Sequence, residues 1–292
     1  MFTTIQEYLQ SQAVTSLSDS TQDLYLRSLN HFRDFLTNNE IKKEDDTIDY
    51  TITPERFSIF VKGLEKRNLS GQTIQQYINC VKIYLKWAKM PLEYTYKVSN
   101  KDRQANKLKH LNRWFQEDDI AKCLAYTFPY ASSPDKALLY RVLIRLLAET
   151  GGRIGEIANI QMEDVDIEEC MVVIHGKTEP RPVFFSPDTR EMLKSLRQSF
   201  KAWHGALFPS VMRLQQVVTE MLNDIGLKKE GDGRGPHTFR HYVASYLFYS
   251  GMRIEDVSFL LGDTVETIVK NYLHPTSLML KERVAKAMKW EG

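Results

Sequence analysis

One stretch of this 292-residue chain departs from an otherwise helical rhythm, and it narrows the folds open to the chain. Met171-Val172-Val173-Ile174-His175 is dense in β-branched residues, Gly176 to Pro180 reads as a turn, and 181–185 is β-rich again. Two such runs joined by a short turn predict a β-hairpin. Elsewhere the apolar residues recur three and four positions apart, the period of helices that bury one face. The expected fold class is therefore mainly α with a small β-hairpin or sheet, α+β in the part that carries the hairpin.

The helices carry their own punctuation. Ser18-Asp19 offers an N-cap to a helix over 21–36, on which Leu24, Leu29, Phe32 and Phe35 or Leu36 recur at helical spacing. Thr53-Pro54-Glu55 starts a second, with proline in the first position and Phe57, Phe60, Val61 and Leu64 behind it. Ser70 opens a third with Ile74, Tyr77, Ile78, Val81, Tyr84, Leu85 and Ala88 on one face, and Met90-Pro91 ends it. Helices resume over 116–126 and 136–150, the latter capped by Ser133-Pro134-Asp135 and stopped by Gly151-Gly152. A short helix follows over 154–160. After the hairpin, helices are expected over 188–204, 213–225, 237–250, 254–261, 264–272 and 277–290.

A chain of this length suits two domains, because single cores rarely grow past roughly 250–300 residues. The expected division is a helical domain over 1–93, a basic linker with weak apolar periodicity over 94–110, and a second domain over 111–292. The 42% hydrophobic content excludes a disordered chain. No apolar run approaches the ~20 residues of a membrane helix; the longest candidate, 138–148, is broken by Arg141 and Arg145. The start lacks the basic and apolar regions of a secretory signal, so a cytoplasmic protein is expected. Cys80, Cys123 and Cys170 are odd in number and far apart, which argues against a disulfide framework or a zinc site.

Net charge is only +2, but its distribution is uneven. Between 97 and 113, Lys97, Lys101, Arg103, Lys107, Lys109 and Arg113 face Asp102 alone, and Lys228, Lys229 and Arg234 form a second cluster. Such patches neutralise phosphates even when acids elsewhere cancel the total. The same run also reads as a solvated linker.

Four segments carry chemistry. Thr150-Gly151-Gly152-Arg153 turns the chain from one helix to the next and leaves Arg153 at a helix start, where a planar fork grips two oxyanion oxygens. Glu156, three residues on, shares its face and orients it; alone, this is also an ordinary structural Arg–Glu pair. Lys177 sits on the hairpin turn, where an ammonium can give a proton to a leaving oxygen, or simply face water. His237-Thr238-Phe239-Arg240 puts an imidazole and a guanidinium three apart on one helix face. Leu260-Leu261-Gly262-Asp263 is followed nine residues later by Tyr272. A phenol is a poor nucleophile until arginines stabilise the charge it attacks and a base takes its proton.

In this order and spacing, Arg153, Lys177, His237-x-x-Arg240, Asp263 and Tyr272 resemble the tyrosine recombinase (phage integrase) superfamily, and within it the compact Xer-like members. The resemblance spans essentially the whole chain: the helical front corresponds to the family's core-binding domain and residues from about 111 to its catalytic domain. It implies a site-specific DNA recombinase. Tyr272 would form a 3′-phosphotyrosyl link, Arg153 and Arg240 would hold the nonbridging oxygens, Lys177 would protonate the leaving oxygen, and His237 would handle the tyrosine proton with Glu156 in support. Double-stranded DNA is the implied partner, bound by a homotetramer on paired sites, with no cofactor and no metal. Lys101, Arg103, Lys107, Lys109, Arg181 and Arg234 are the expected DNA contacts. The sequence departs from the family at Asp263, where histidine or tryptophan is usual; a carboxylate there repels a phosphate unless paired with His237 or Arg240. A type IB topoisomerase-like enzyme and a catalytically quiet DNA-binding protein are the alternatives.

Overall fold

Side-chain oxygens at helix starts set the frame. Thr53, Ser70, Ser133, Ser186 and Thr264 each accept a hydrogen bond from the backbone N–H three residues on, satisfying first-turn donors that have no partner within the helix. The computed structural model describes residues 2–39, 41–42, 48–49, 51–67, 69–99, 114–176, 179–200, 204–228 and 233–272, with 284 and 288. The chain divides into two compact units, Met1–Leu108 and Lys109–Gly292.

The first unit contains α1 (Phe2–Gln10), α2 (Gln12–Thr15), α3 (Asp19–Asn38), α4 (Pro54–Glu65) and α5 (Gly71–Trp87), with a two-residue strand pair, β1 (Ile41–Lys42) and β2 (Ile48–Asp49). Leu29, Phe32, Leu36, Phe57, Ile78 and Leu85 meet in its core. The expected helices over 21–36 and 54–64, and the one opened by Ser70, are α3, α4 and α5. The sequence pattern does not pick out α1, because among the described side chains only Ile5 and Tyr8 mark its fully buried face. Tyr8 packs on Tyr84 and Trp87, with ring centroids 5.5 and 5.1 Å away, contacts that no local pattern encodes.

The second unit runs α6 (Glu117–Ala125), α7 (Pro134–Thr150), α8 (Ile154–Ala158), β3 (Val165–Asp166), β4 (Met171–Ile174), β5 (Arg181–Phe184), α9 (Pro187–Ser199), α10 (Val211–Asp224), α11 (Pro236–Tyr249), α12 (Ile254–Leu261) and α13 (Val265–Asn271). The hairpin forms as expected, with Val172 opposite Val183 and Ile174 opposite Arg181. A third strand, β3, pairs with the other edge of β4, giving an antiparallel sheet of order β3-β4-β5. Strand alternation buries Val172, Ile174, Arg181 and Val183. Helix α7 is the central post: Val142, Leu143, Leu146 and Leu147 are buried, and it packs against α9 and α11. A smaller apolar cluster, Val243, Ala244, Val257, Leu261, Ile268 and Tyr272, joins α11, α12 and α13. The helix expected over 277–290 lies outside the described residues. No helix among the described residues is long and apolar enough to cross a membrane.

Candidate active site

The site is organised around the end of α12. Gly262 closes that helix at φ +63°, and the last carbonyls of the helix, which have no intrahelical donor, are left as acceptors. Three arginines from three elements use them. Arg240 of α11 donates through Nη2 to Leu261 O at 2.7 Å and through Nη1 to Gly151 O at 3.0 Å. Arg181 of β5 donates through Nε to Leu260 O at 2.8 Å. Arg153, at the N-terminus of α8, donates through Nη2 to Gly262 O at 3.3 Å. Arg240 is fully buried, and a buried cation persists only where its N–H groups find acceptors.

Two carboxylates set the other half of the charge balance. Glu156 accepts from Arg153 Nη1 at 2.8 Å, from the Arg153 backbone N–H at 2.9 Å and from Arg181 Nη2 at 2.8 Å. Burial pushes its pKa up, but the hydrogen bonds from Arg181 and from the Arg153 backbone and side chain outweigh that and hold it below the ordinary carboxylate value. Burial disfavours the charged Arg153, and Glu156 and Asp263 overcome this and raise its pKa. Asp263 bridges the two arginines: Arg153 Nη2 donates to one oxygen, and Arg240 Nη2 lies 2.5 Å from the other. The pairing of Asp263 expected with His237 or Arg240 is thus made with Arg240, and with Arg153 besides.

Tyr272 completes the cluster. It caps the C-terminus of α13, its backbone N–H donating to Ile268 O at 2.9 Å. Ser245 Oγ on α11 donates to Tyr272 O at 2.9 Å, and the His241 ring meets the phenol edge-on with centroids 4.7 Å apart. Tyr272 Oη accepts from Arg240 Nε at 3.1 Å and donates to Asp263 Oδ2 at 3.3 Å. His237, in the first turn of α11, is exposed. A cleft of about 1250 Å³ opens beside the Arg153 and Asp263 side of the cluster, lined among others by Arg153, Glu156, Gly176, His237 and Asp263, while Arg240 and Tyr272 lie buried behind that wall.

Arg153, Arg240, Asp263 and Tyr272 therefore converge, with Glu156 behind them and His237 on the cleft wall. Lys177 lies outside the described residues; its neighbour Gly176 lines the cleft and is packed so closely on Glu156 that a Cβ there would stand 2.7 Å from Oε1. Lys101, Arg103, Lys107 and Lys109 also lie outside the described residues. One expected DNA contact is corrected. Arg181 is 3% exposed and committed to Glu156 and the α12 carbonyl, so it is an internal cation. Arg234 is half-buried; Nη1 donates to Leu227 O at 2.8 Å and its Cζ sits 5.9 Å from the Phe115 ring centroid, tying the loop before α11 to the core. Sequence reasoning missed His241, whose only signal is its place next to Arg240. It also missed the structural role of Arg181, signalled by an arginine at an inward strand position beside Val183.

Chemically, two guanidinium forks converge beside a hydroxyl on a position that holds one carboxylate, which is a site for an oxyanion with a nucleophile alongside. Among the described residues no group of three or more His, Cys, Asp or Glu side chains is placed to hold a metal ion.

The phage integrase family model matches residues 113–278, more than half of the chain. The chain is 26% identical over 282 residues to tyrosine recombinase XerC of Staphylococcus aureus (strain MSSA476), covering 89% of this chain and 94% of that protein. It is 25% identical over 291 residues to tyrosine recombinase XerA of Saccharolobus solfataricus, covering 96% and 91%. In fold it is similar to a lambda integrase dimer bound to a COC′ core site, with TM-score 0.68 and 15% identity over 93% of this chain and 94% of that one. It is likewise similar to the XerH site-specific recombinase bound to difH substrate, with TM-score 0.66 and 20% identity over 93% and 80%.

Proposed function

Because the chain belongs to the phage integrase family and is a tyrosine recombinase that acts in site-specific recombination, we propose that Tyr272 is its nucleophile and that Arg153 and Arg240 hold the scissile DNA phosphate. The observation that carries this reading is the convergence of both guanidiniums and the Tyr272 hydroxyl on one anion, the Asp263 carboxylate.

In this reading the steps are those the family resemblance implies. Tyr272 Oη attacks phosphorus, the phenolic proton passes to His237, and the P–O5′ bond breaks with its electron pair on O5′. Lys177 gives O5′ a proton, leaving a 3′-phosphotyrosyl link and a free 5′-hydroxyl. Charge that develops on the nonbridging oxygens meets fixed N–H donors, which need no rearrangement at the moment of reaction. Glu156 holds the Arg153 fork in register from behind. The 5′-hydroxyl of a partner strand then attacks the phosphotyrosyl link and reverses the chemistry, so the bond energy is kept for religation. Four copies on two paired duplex sites exchange strands through a Holliday junction, in the cytoplasm where that DNA lies. Lys101, Arg103, Lys107 and Lys109 neutralise backbone phosphates, a contribution that weakens with salt.

The test is incubation with nicked suicide duplexes carrying DNA that flanks the gene. A covalent adduct abolished by Tyr272→Phe supports the assignment; an adduct that survives the change refutes it. Relaxation of supercoiled DNA lacking a cognate site would favour the topoisomerase-like alternative.

A further inference from the structure

The two guanidiniums assigned above to the DNA phosphate are already joined through an anion of the chain itself. One Asp263 oxygen pairs with Arg153 Nη2, the other lies 2.5 Å from Arg240 Nη2, and the Tyr272 hydroxyl donates to that second oxygen at 3.3 Å. These are the contacts that two nonbridging oxygens and an attacking hydroxyl would make. Carboxylate and phosphate compete for the same forks, and two anions held side by side repel. Nor is Asp263 a loose surface acid. Its side chain is 14% exposed, its N–H donates to Ser258 O at 3.2 Å, and Ser258 Oγ donates to its carbonyl. The carboxylate is built into the end of α12.

We infer that Asp263 is a specificity-determining residue: its carboxylate fills the oxyanion site between Arg153 and Arg240, so the site yields to a phosphate anchored on bound DNA and resists free oxyanions. A free sulfate must displace the carboxylate with nothing else to gain. A phosphate within a docked duplex arrives at high effective concentration, supported by contacts elsewhere. The inference rests on the assignment of Arg153, Arg240 and Tyr272 to the phosphate.

The test uses the whole chain, titrated with sodium sulfate against sodium chloride at matched ionic strength. The wild type should show no saturable, sulfate-specific rise in melting midpoint. Asp263→Asn should show one, with apparent sulfate affinity about tenfold tighter or more, since affinity scales with the fraction of molecules whose site is open. Adding Arg153→Ala should remove it. In the suicide-duplex assay, sulfate should inhibit Asp263→Asn at concentrations that leave the wild type unaffected. Asp263→Ser carries the same readings should the amide variant fold poorly. A folded variant with no saturable sulfate effect, or equal inhibition of both proteins, overturns the inference. The melting arm needs no cleavage, so it stays informative about Asp263 even where an adduct surviving Tyr272→Phe has removed the nucleophile assignment.

Discussion

Arg240 Nε–H donates to the Tyr272 hydroxyl at 3.1 Å, and the guanidinium carbon stands 5.6 Å from the phenol ring centroid. The contact fixes the proposed nucleophile against the cation that would steady its charge, and it ties α13 to α11. Tyr272→Phe should therefore do two separable things. Adduct formation should vanish on suicide duplexes. Stability should fall by about 1–3 kcal/mol, because a buried N–H loses its partner, and urea unfolding followed by circular dichroism reads that loss. A stable, adduct-forming phenylalanine variant would contradict both.

Glu156 makes a pH prediction with a definite sign. Its folded-state pKa is lowered from an ordinary value of 4.5, so its share of stability is complete above that value and drains away as pH falls through the folded value. Glu156→Gln removes the titration and leaves Arg181 buried beside a neutral amide. The variant should be less stable at neutral pH by about 3 kcal/mol or more, and the gap should narrow below about pH 4.5 as the wild-type carboxyl protonates. Urea midpoints measured from pH 3 to 7 give both curves; parallel curves would mean that Glu156 contributes no pH-linked stability.

Most of the frame was legible because its signals are local. Thr53-Pro54, Ser70 and Ser133-Pro134 each mark a helix start with a cap, and the caps form. Arg153, Arg240 and Tyr272 were legible only as an ordered set, since each alone is an ordinary residue. What stayed hidden is non-local. That Leu260, Leu261 and Gly262 offer their carbonyls to three arginines depends on where α12 ends relative to β5, α8 and α11. The inward turn of Arg181 follows from a strand register that pairs it with Ile174, and its basic character suggested the opposite face. Asp263 stood out as a departure, but its bridge between two guanidiniums needs coordinates.

Arg153→Lys separates charge from shape. The Arg153 fork reaches Glu156 at 2.8 Å, the Gly262 carbonyl at 3.3 Å and Asp263 together; an ammonium is a single point on a flexible stem and cannot span them. Adduct formation should drop about 10²–10³-fold, the usual cost of losing one fixed donor to a developing oxyanion. The melting midpoint should change little, since the side chain is about a third exposed. A rate within a few-fold of wild type would show that charge alone suffices there.

Gly262→Ala tests whether the end of α12 must stay open. The residue sits at φ +63°, where an L side chain costs roughly 1–2 kcal/mol. A Cβ there would also stand 2.6 Å from Arg181 Nη1 and 2.7 Å from its Cζ. That guanidinium has nowhere to retreat: Nη2 holds Glu156 at 2.8 Å and Nε holds Leu260 O at 2.8 Å. Overpacking adds about 1–3 kcal/mol, so the urea midpoint should fall by an amount equivalent to about 2–5 kcal/mol with the slope unchanged. Adduct formation should suffer too, because displacing Arg181 disturbs Glu156 and through it Arg153. Gly155→Ala is the control: nothing lies within 4 Å of its Cβ position and it is helical, so stability should hold or rise by up to about 1 kcal/mol. Equal midpoints for Gly262→Ala and wild type would show that Arg181 can shift freely, and the carbonyl cradle at the end of α12 would then not be what fixes the arginines.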